Sequence, residues 1–159
     1  MAGTEVKKLI QQVEIGYETL DVALRGISES DLRRSPGGEE WSPAQVMGHV
    51  IEMGPFWTTK VKSIAQNGGE IPTKRTPPEG EVRLAAVEKY GRESLAGIQK
   101  GLRESKKLCV TNISALKDAD LDVKRRRGDE ETTLRGFLES HIVSHLQEHA
   151  QQMSEARKA

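Results

Sequence analysis

From Glu5 to about Gly26 the apolar residues fall at Val6, Leu9, Ile10, Val13, Ile15, Tyr17, Leu20, Val22, Ala23 and Leu24. That is the three-to-four spacing of one helix face with a few extras, and it predicts a long amphipathic helix. Ile27 to Leu32 follows as a short accessory turn of helix near 28–34, where Ser28 and Asp31 stand at capping-box spacing. Pro36-Gly37-Gly38 then breaks the chain.

Ser42-Pro43 reads as the start of a second long helix. Serine is a good N-cap, and proline suits the first helical position, where its missing N–H goes unused. Ala44, Val46, Met47, Val50, Ile51, Met53 and Trp57 carry an apolar face on to about Ala65. Pro55, inside this pattern, removes a donor and predicts a kink. Asn67-Gly68-Gly69 ends the helix, and Ile71 to Gly80, with three prolines, reads as a surface loop. A third helix is expected from about Val82 to Leu108, extending toward Leu116, with Leu84, Val87, Tyr90, Leu95, Ile98 and Leu102 on its face. Gly91, Gly97 and Gly101 along it leave room for a close neighbour. Lys117 to Glu131 is dominated by charge and reads as a polar loop. Thr132 or Thr133 caps a last helix from Leu134 to about Arg157. Four long helices make an all-α bundle, read as one domain over residues 1–159.

Composition narrows the function classes. Twenty-four basic and 24 acidic residues leave no net charge, so there is no electrostatic case for nucleic acid or an anionic membrane. The run Lys124-Arg125-Arg126-Arg127 is followed at once by Asp129-Glu130-Glu131 and reads as a solvated face. A single cysteine, Cys109, forms no internal disulfide and reads as a small buried hydrophobe. No apolar run reaches membrane-spanning length and the N-terminal segment does not read as a signal peptide, so the expected location is the cytoplasm.

All four histidines fall in predicted helices: His49 in the second, and His141, His145 and His149 in the last. Spacing by four stacks side chains on one helix face, here the stripe that also carries Leu134, Phe137, Leu138, Ile142 and Met153. Burying neutral imidazoles is unfavourable unless their nitrogens find partners, and a cation supplies partners for several at once. Helix rise places His141 and His149 about 12 Å apart, too far to share one ion with bonds of about 2.1 Å. One metal therefore takes His141/His145 or His145/His149, with His49 as third ligand, and spacing does not choose between the pairs.

Two stretches carry a family likeness. Glu40-Trp41-Ser42-Pro43-Ala44-Gln45-Val46-Met47-Gly48-His49-Val50 and His145-Leu146-Gln147-Glu148-His149-Ala150-Gln151-Gln152-Met153 resemble the DinB/YfiT-like family of helical-bundle metalloenzymes, which includes thiol-dependent transferases. Leu20 to Leu32 resembles the family's opening turn before its Trp-Ser segment. The resemblance implies an up-down-down-up four-helix bundle, often a homodimer. It also implies His49, His145 and His149 as ligands of a divalent metal ion such as Zn, Ni or Fe, and makes His141 an outer neighbour of the site. Glu148 stands where the family often has a further histidine.

A three-imidazole site keeps open positions for water or a thiolate, whose pKa a zinc ion lowers. The expected activity is thiol-dependent S-transfer, with a low-molecular-weight thiol as partner, or hydrolysis by metal-activated water, on a small molecule. Glu52 shares the His49 face and is the candidate general base, fourth ligand or orienting group. Trp57 could wall the pocket, and Trp41 packs at the helix entrance. The competing reading is a non-catalytic dimeric bundle with a structural or vestigial metal site.

Overall fold

The computed structural model describes residues 2–158 and is helical apart from one small hairpin. Helices α1 (Thr4–Leu24), α2 (Glu29–Arg33), α3 (Pro43–Asn67), α4 (Pro77–Gly91), α5 (Leu95–Ser114) and α6 (Asp118–Leu121) precede strands β1 (Arg125–Arg127) and β2 (Glu130–Thr132). The chain then runs through α7 (Leu134–Leu138), a π-helical segment (Glu139–Val143) and α8 (Ser144–Lys158) with helical backbone at each junction.

Side-chain contacts fix the direction of each helix. From α1, Glu5 pairs with Arg135 (3.1 Å), Gly16 abuts Leu146 and the Arg25 carbonyl accepts from Arg157 (2.7 Å), so α1 runs parallel to the last helix. Ile51 and Thr58 of α3 meet Ser105 and Asn112 of α5 in the same order, so these two also run parallel. Against α5, α1 runs the other way, since Tyr17 meets Ser105 while the Val6 amide reaches Asp118. The result is the up-down-down-up bundle expected from the sequence. Leu9, Val13, Tyr17, Leu20 and Leu24 of α1, Met47 and Val50 of α3, Ile98 and Leu102 of α5, and Phe137, Leu146 and Met153 of the last helix form its core. The extras Ile15 and Val22 lie outside it.

Two sequence expectations are corrected. The third helix is two: α4 and α5 run in opposite directions, with the reversal at Arg92-Glu93-Ser94. Ser94 caps α5 by accepting from the Gly97 amide (3.0 Å), and Arg33 of α2 binds the carbonyls of Gly91 and Glu93. The Gly91 carbonyl is one that the end of α4 leaves without a helical donor, and the Glu93 carbonyl lies in the turn itself. Helix α4 starts inside the supposed proline loop, because Thr76 and Glu79 form a reciprocal capping box with proline at the first position. The same arrangement at Ser42 and Gln45 opens α3. Running antiparallel to α3, α4 covers it from outside, with Gly48 against Ala86 and Val87. Only Val87 of α4 is buried and Leu84 is exposed.

The second correction concerns Lys117–Glu131, which holds α6 and most of a hairpin rather than a polar loop. In the backbone register, Arg125, Arg126 and Arg127 stand opposite Thr132, Glu131 and Glu130, with no side-chain ion pair formed between Arg127 and Glu130. Gly128 turns it at φ +64°, as the first position of a two-residue turn of this kind demands. The Ile71 amide bonds to the Arg126 carbonyl (3.0 Å) and ties the hairpin to the segment before α4.

Helix α3 is continuous through Pro55. Proline has no N–H, so the Ile51 carbonyl lacks its helical donor. Ser105 of α5 supplies one: its hydroxyl donates to Ile51 O at 2.8 Å. The 2.7 Å contact between Ser105 and Tyr17 therefore has the tyrosine O–H as donor, and the Cys109 thiol donates to Tyr17 in turn (3.3 Å). Burial pushes the Cys109 thiol up to about 11 and raises Tyr17 well above its ordinary value, so both keep the protons the chain needs. A Cβ on Gly54 would overlap Tyr17 Oη and Cys109 Sγ.

Ser105→Ala orphans Ile51 O and the Tyr17 hydroxyl, and should lower stability by about 1–3 kcal/mol in urea denaturation. Thr111→Ala removes an exposed hydroxyl bonded within its own helix and should stay within about 0.5 kcal/mol. Equal losses would contradict the role given to Ser105.

Candidate functional site

Helix α3 and the last helix cross antiparallel, and each presents residues four apart to the other. His49, Met53 and Trp57 stand on α3; Phe137, His141, His145 and His149 stand opposite. His49 meets His149 edge-on with ring centres 5.7 Å apart. Met53 Sδ lies 3.4 Å from His145 Nδ1, and Trp57 packs on Phe137 at 5.4 Å. His141 stacks on Phe137 (4.4 Å, 12°), and His145 is 5.9 Å from His141 and 6.0 Å from His149. The π segment sits where this ladder begins: the Ser144 amide bonds five residues back to Glu139 O. That wider winding advances less per residue than an α-turn and keeps positions four apart on one face.

Hydrogen bonds set the imidazole tautomers. Gln152 Oε1 accepts from His149 Nδ1 (3.0 Å), and Met53 sulfur accepts from His145 Nδ1. Both rings thereby keep the Nε2 lone pair free, the arrangement a metal-ligating histidine needs. His141 Nδ1 is engaged by Ser140 Oγ (2.8 Å). His49 Nδ1 is buried without a partner, and Trp41 packs 5.7 Å from its ring. Among the described residues, no group of three or more His, Cys, Asp or Glu is placed so that it could hold a metal ion. Three imidazoles around a zinc ion place ring centres about 5 Å apart, given Zn–N bonds of about 2.0–2.1 Å. The 5.7 and 6.0 Å spacings of His49–His149 and His145–His149 exceed this. The orphaned nitrogen and the free lone pairs fit a cation, while the ring placement is looser than a ligand set.

His49, His141 and His145 line a cavity of about 650 Å³ with Met53, Trp57, Arg75, Arg83 and Arg127. His149 opens instead onto a recess with Trp41, Glu40 and Gln152. Glu52 faces away from the histidines: Arg75 holds its carboxylate at 2.5 and 2.9 Å and stacks on Phe56 at 3.8 Å. To act as a base, Glu52 would first have to leave that ion pair. Glu148 is exposed, and Trp57 does form part of the cavity wall. Sequence reasoning missed Arg75, Arg83 and Arg127. A lone arginine on a helix has no periodic signature, and Arg127 was concealed in a run that looked solvated.

An imidazole cluster between antiparallel helices of an up-down-down-up bundle, opening onto a cavity, defines the class. The sequence matches the DinB superfamily over residues 12–153, and the chain belongs to that superfamily. The crystal structure of an uncharacterized protein from Clostridium difficile 630 is similar to it, with a TM-score of 0.71 and 17% identity over 96% of this chain and 95% of that one. That likeness shows the shared fold. No curated protein matches the sequence. No helix among the described residues is long and apolar enough to cross a membrane.

Protonation is disfavoured at His49, His141 and His149. Burial, then His149 and Arg83, brings His49 from 6.5 down to about 4. Burial is also the first cause of the lowering at His149, and at His141, where Arg127 adds to it. A folded pKa below the unfolded one means that protons bind the unfolded chain more strongly. The contribution is complete above about pH 6.5 and is lost as pH falls toward 4. Each tenfold difference in proton affinity between the two states is worth about 1.4 kcal/mol, so metal-free protein should lose on the order of 1–3 kcal/mol across this window. Urea unfolding followed against pH should show a shallower loss in His49→Gln; identical slopes would contradict the assignment.

Proposed function

We propose that His49, His145 and His149 bind one divalent cation and that the adjoining cavity is the active site of a metal-dependent enzyme acting on a small molecule. The observation that carries this reading is the orphaned His49 Nδ1 beside two imidazoles whose Nδ1 protons are already committed to Gln152 and Met53. When bound, such a cation supplies Lewis acidity and a lowered pKa for a thiol or a water. Gln152 orients the His149 ring, and Met53 orients His145. Trp41 and Trp57 shield the imidazoles on either side. Cys109 is buried in the Tyr17–Ser105 chain and held protonated, so any thiol nucleophile must come from outside the chain. Thiol-dependent transfer, with a low-molecular-weight thiol as cosubstrate, is the preferred reaction class, and hydrolysis the second.

Metal-stripped, untagged protein should take up one equivalent of Zn²⁺, Ni²⁺ or Fe²⁺ in calorimetric titration. His145→Ala, His49→Ala and His149→Ala should each abolish tight uptake. Gln152→Ala should weaken it by about 10–100-fold, as loss of a ligand's outer hydrogen bond does, and His141→Ala should keep the stoichiometry. Wild-type protein that binds no metal, or His145→Ala that binds it unchanged, would overturn the reading.

A further inference from the structure

Four basic side chains, Lys74, Arg75, Arg83 and Arg127, line the histidine cavity, and among the described residues no acidic one does. In a chain with equal numbers of acids and bases, this is a strong local asymmetry. Arg75 is paired with Glu52. Among the described residues, Lys74, Arg83 and Arg127 have no carboxylate partner, although the hairpin and α4 are rich in acids.

The two arginines are nevertheless positioned. Arg83 lies over the Trp41 ring at 5.9 Å, and its Nε is buried with no acceptor. Arg127 donates from Nε to the Pro72 carbonyl (3.1 Å) and from Nη2 to Thr73 O (3.5 Å), with its guanidinium 5.3 Å from the Phe137 ring. Carbonyls and aromatic faces fix a guanidinium without cancelling its charge.

We propose that the cavity binds an anionic substrate through its oxyanion groups, carboxylate or phosphate, which Arg83 and Arg127 engage while Lys74 attracts it at the rim. Planar guanidinium groups recognise planar or tetrahedral oxyanions through paired N–H bonds. A cavity of about 650 Å³ admits a small organic molecule. An oxyanion also supplies the acceptor that Arg83 Nε lacks. The identity of the centre to which the anchored molecule is presented rests on the metal reading above; the anion site itself does not.

Binding of succinate, inorganic phosphate and neutral succinamide to the full chain, metal-stripped and zinc-loaded, tests this by calorimetry at constant ionic strength. Succinate or phosphate should bind at least tenfold more tightly than succinamide in the stripped protein. Preference for succinate marks a carboxylate substrate, and preference for phosphate a phosphorylated one; both support the site. Arg83→Gln and Arg127→Gln should each weaken binding about tenfold or more. Arg103→Gln, on the wall of a different cavity, should change it less than twofold. Arg83→Lys and Arg127→Lys keep charge and stem, and should fall between wild type and the Gln variants, which keeps the test decisive if a Gln variant fails to fold. Equal affinity for succinamide, or indifference to Arg83 and Arg127, would overturn the proposal. Arginine-dependent anion binding without zinc uptake would leave it standing while the metal reading fails. Zinc uptake with arginine-independent anion binding confined to the zinc form would do the reverse.

Discussion

A single hydrogen bond, from the Ser105 hydroxyl to the Ile51 carbonyl, allows α3 to pass through Pro55 without fraying. The proline removes the internal donor for that carbonyl, and the gap lies in the core, where water cannot fill it. Tyr17 and Cys109 complete the chain of donors, so α1, α3 and α5 are joined by polar bonds at the same level. Gly54 leaves room for that junction. His49 and Met53 stand within a turn of Ile51, and their aim toward the last helix depends on α3 remaining one continuous helix. The proline defect is thus solved by the helix packing that also positions the site.

The sequence made the outer form of the molecule legible because its signals are local. Ser42-Pro43 and the apolar stripe of α1 announce themselves through period and capping chemistry. The same grammar at Thr76-Pro77-Pro78-Glu79 was available but hidden by the density of prolines, which suggested a loop. The reversal at Arg92–Ser94 was harder to see. Apolar residues of α4 and α5 happen to continue one helical phase, and the contact that secures the turn comes from Arg33, some sixty residues away in sequence. The β1–β2 hairpin has no apolar alternation at all; its register sets Arg126 and Arg127 opposite Glu131 and Glu130.

Within the site, the histidines were legible as a ladder, and the limit from helix rise on which could act together follows from geometry alone. What spacing could not supply was the facing ladder of His49, Met53 and Trp57, which interlocks only once the two helices are known to run antiparallel. Nor could it show that Glu52, on the same helix as His49, is claimed by Arg75. That pair needs the segment before α4 folded back over α3, a long-range event with no sequence period.

The cations around the cavity and the neutrality of His49 and His141 are two sides of one field. Positive charge at Arg83 and Arg127 disfavours protonated His49 and His141, reinforcing what burial does. Neutral imidazoles are the form in which nitrogen lone pairs serve as ligands or proton acceptors. The same charge draws anions toward those lone pairs. Had carboxylates paired with the arginines, as Glu52 pairs with Arg75, both effects would weaken together: the imidazoles would protonate more readily and the cavity would lose its attraction. Among the described residues, the absence of acids from this wall therefore serves one electrostatic requirement, which is to keep His49 and His141 uncharged and the approach positive.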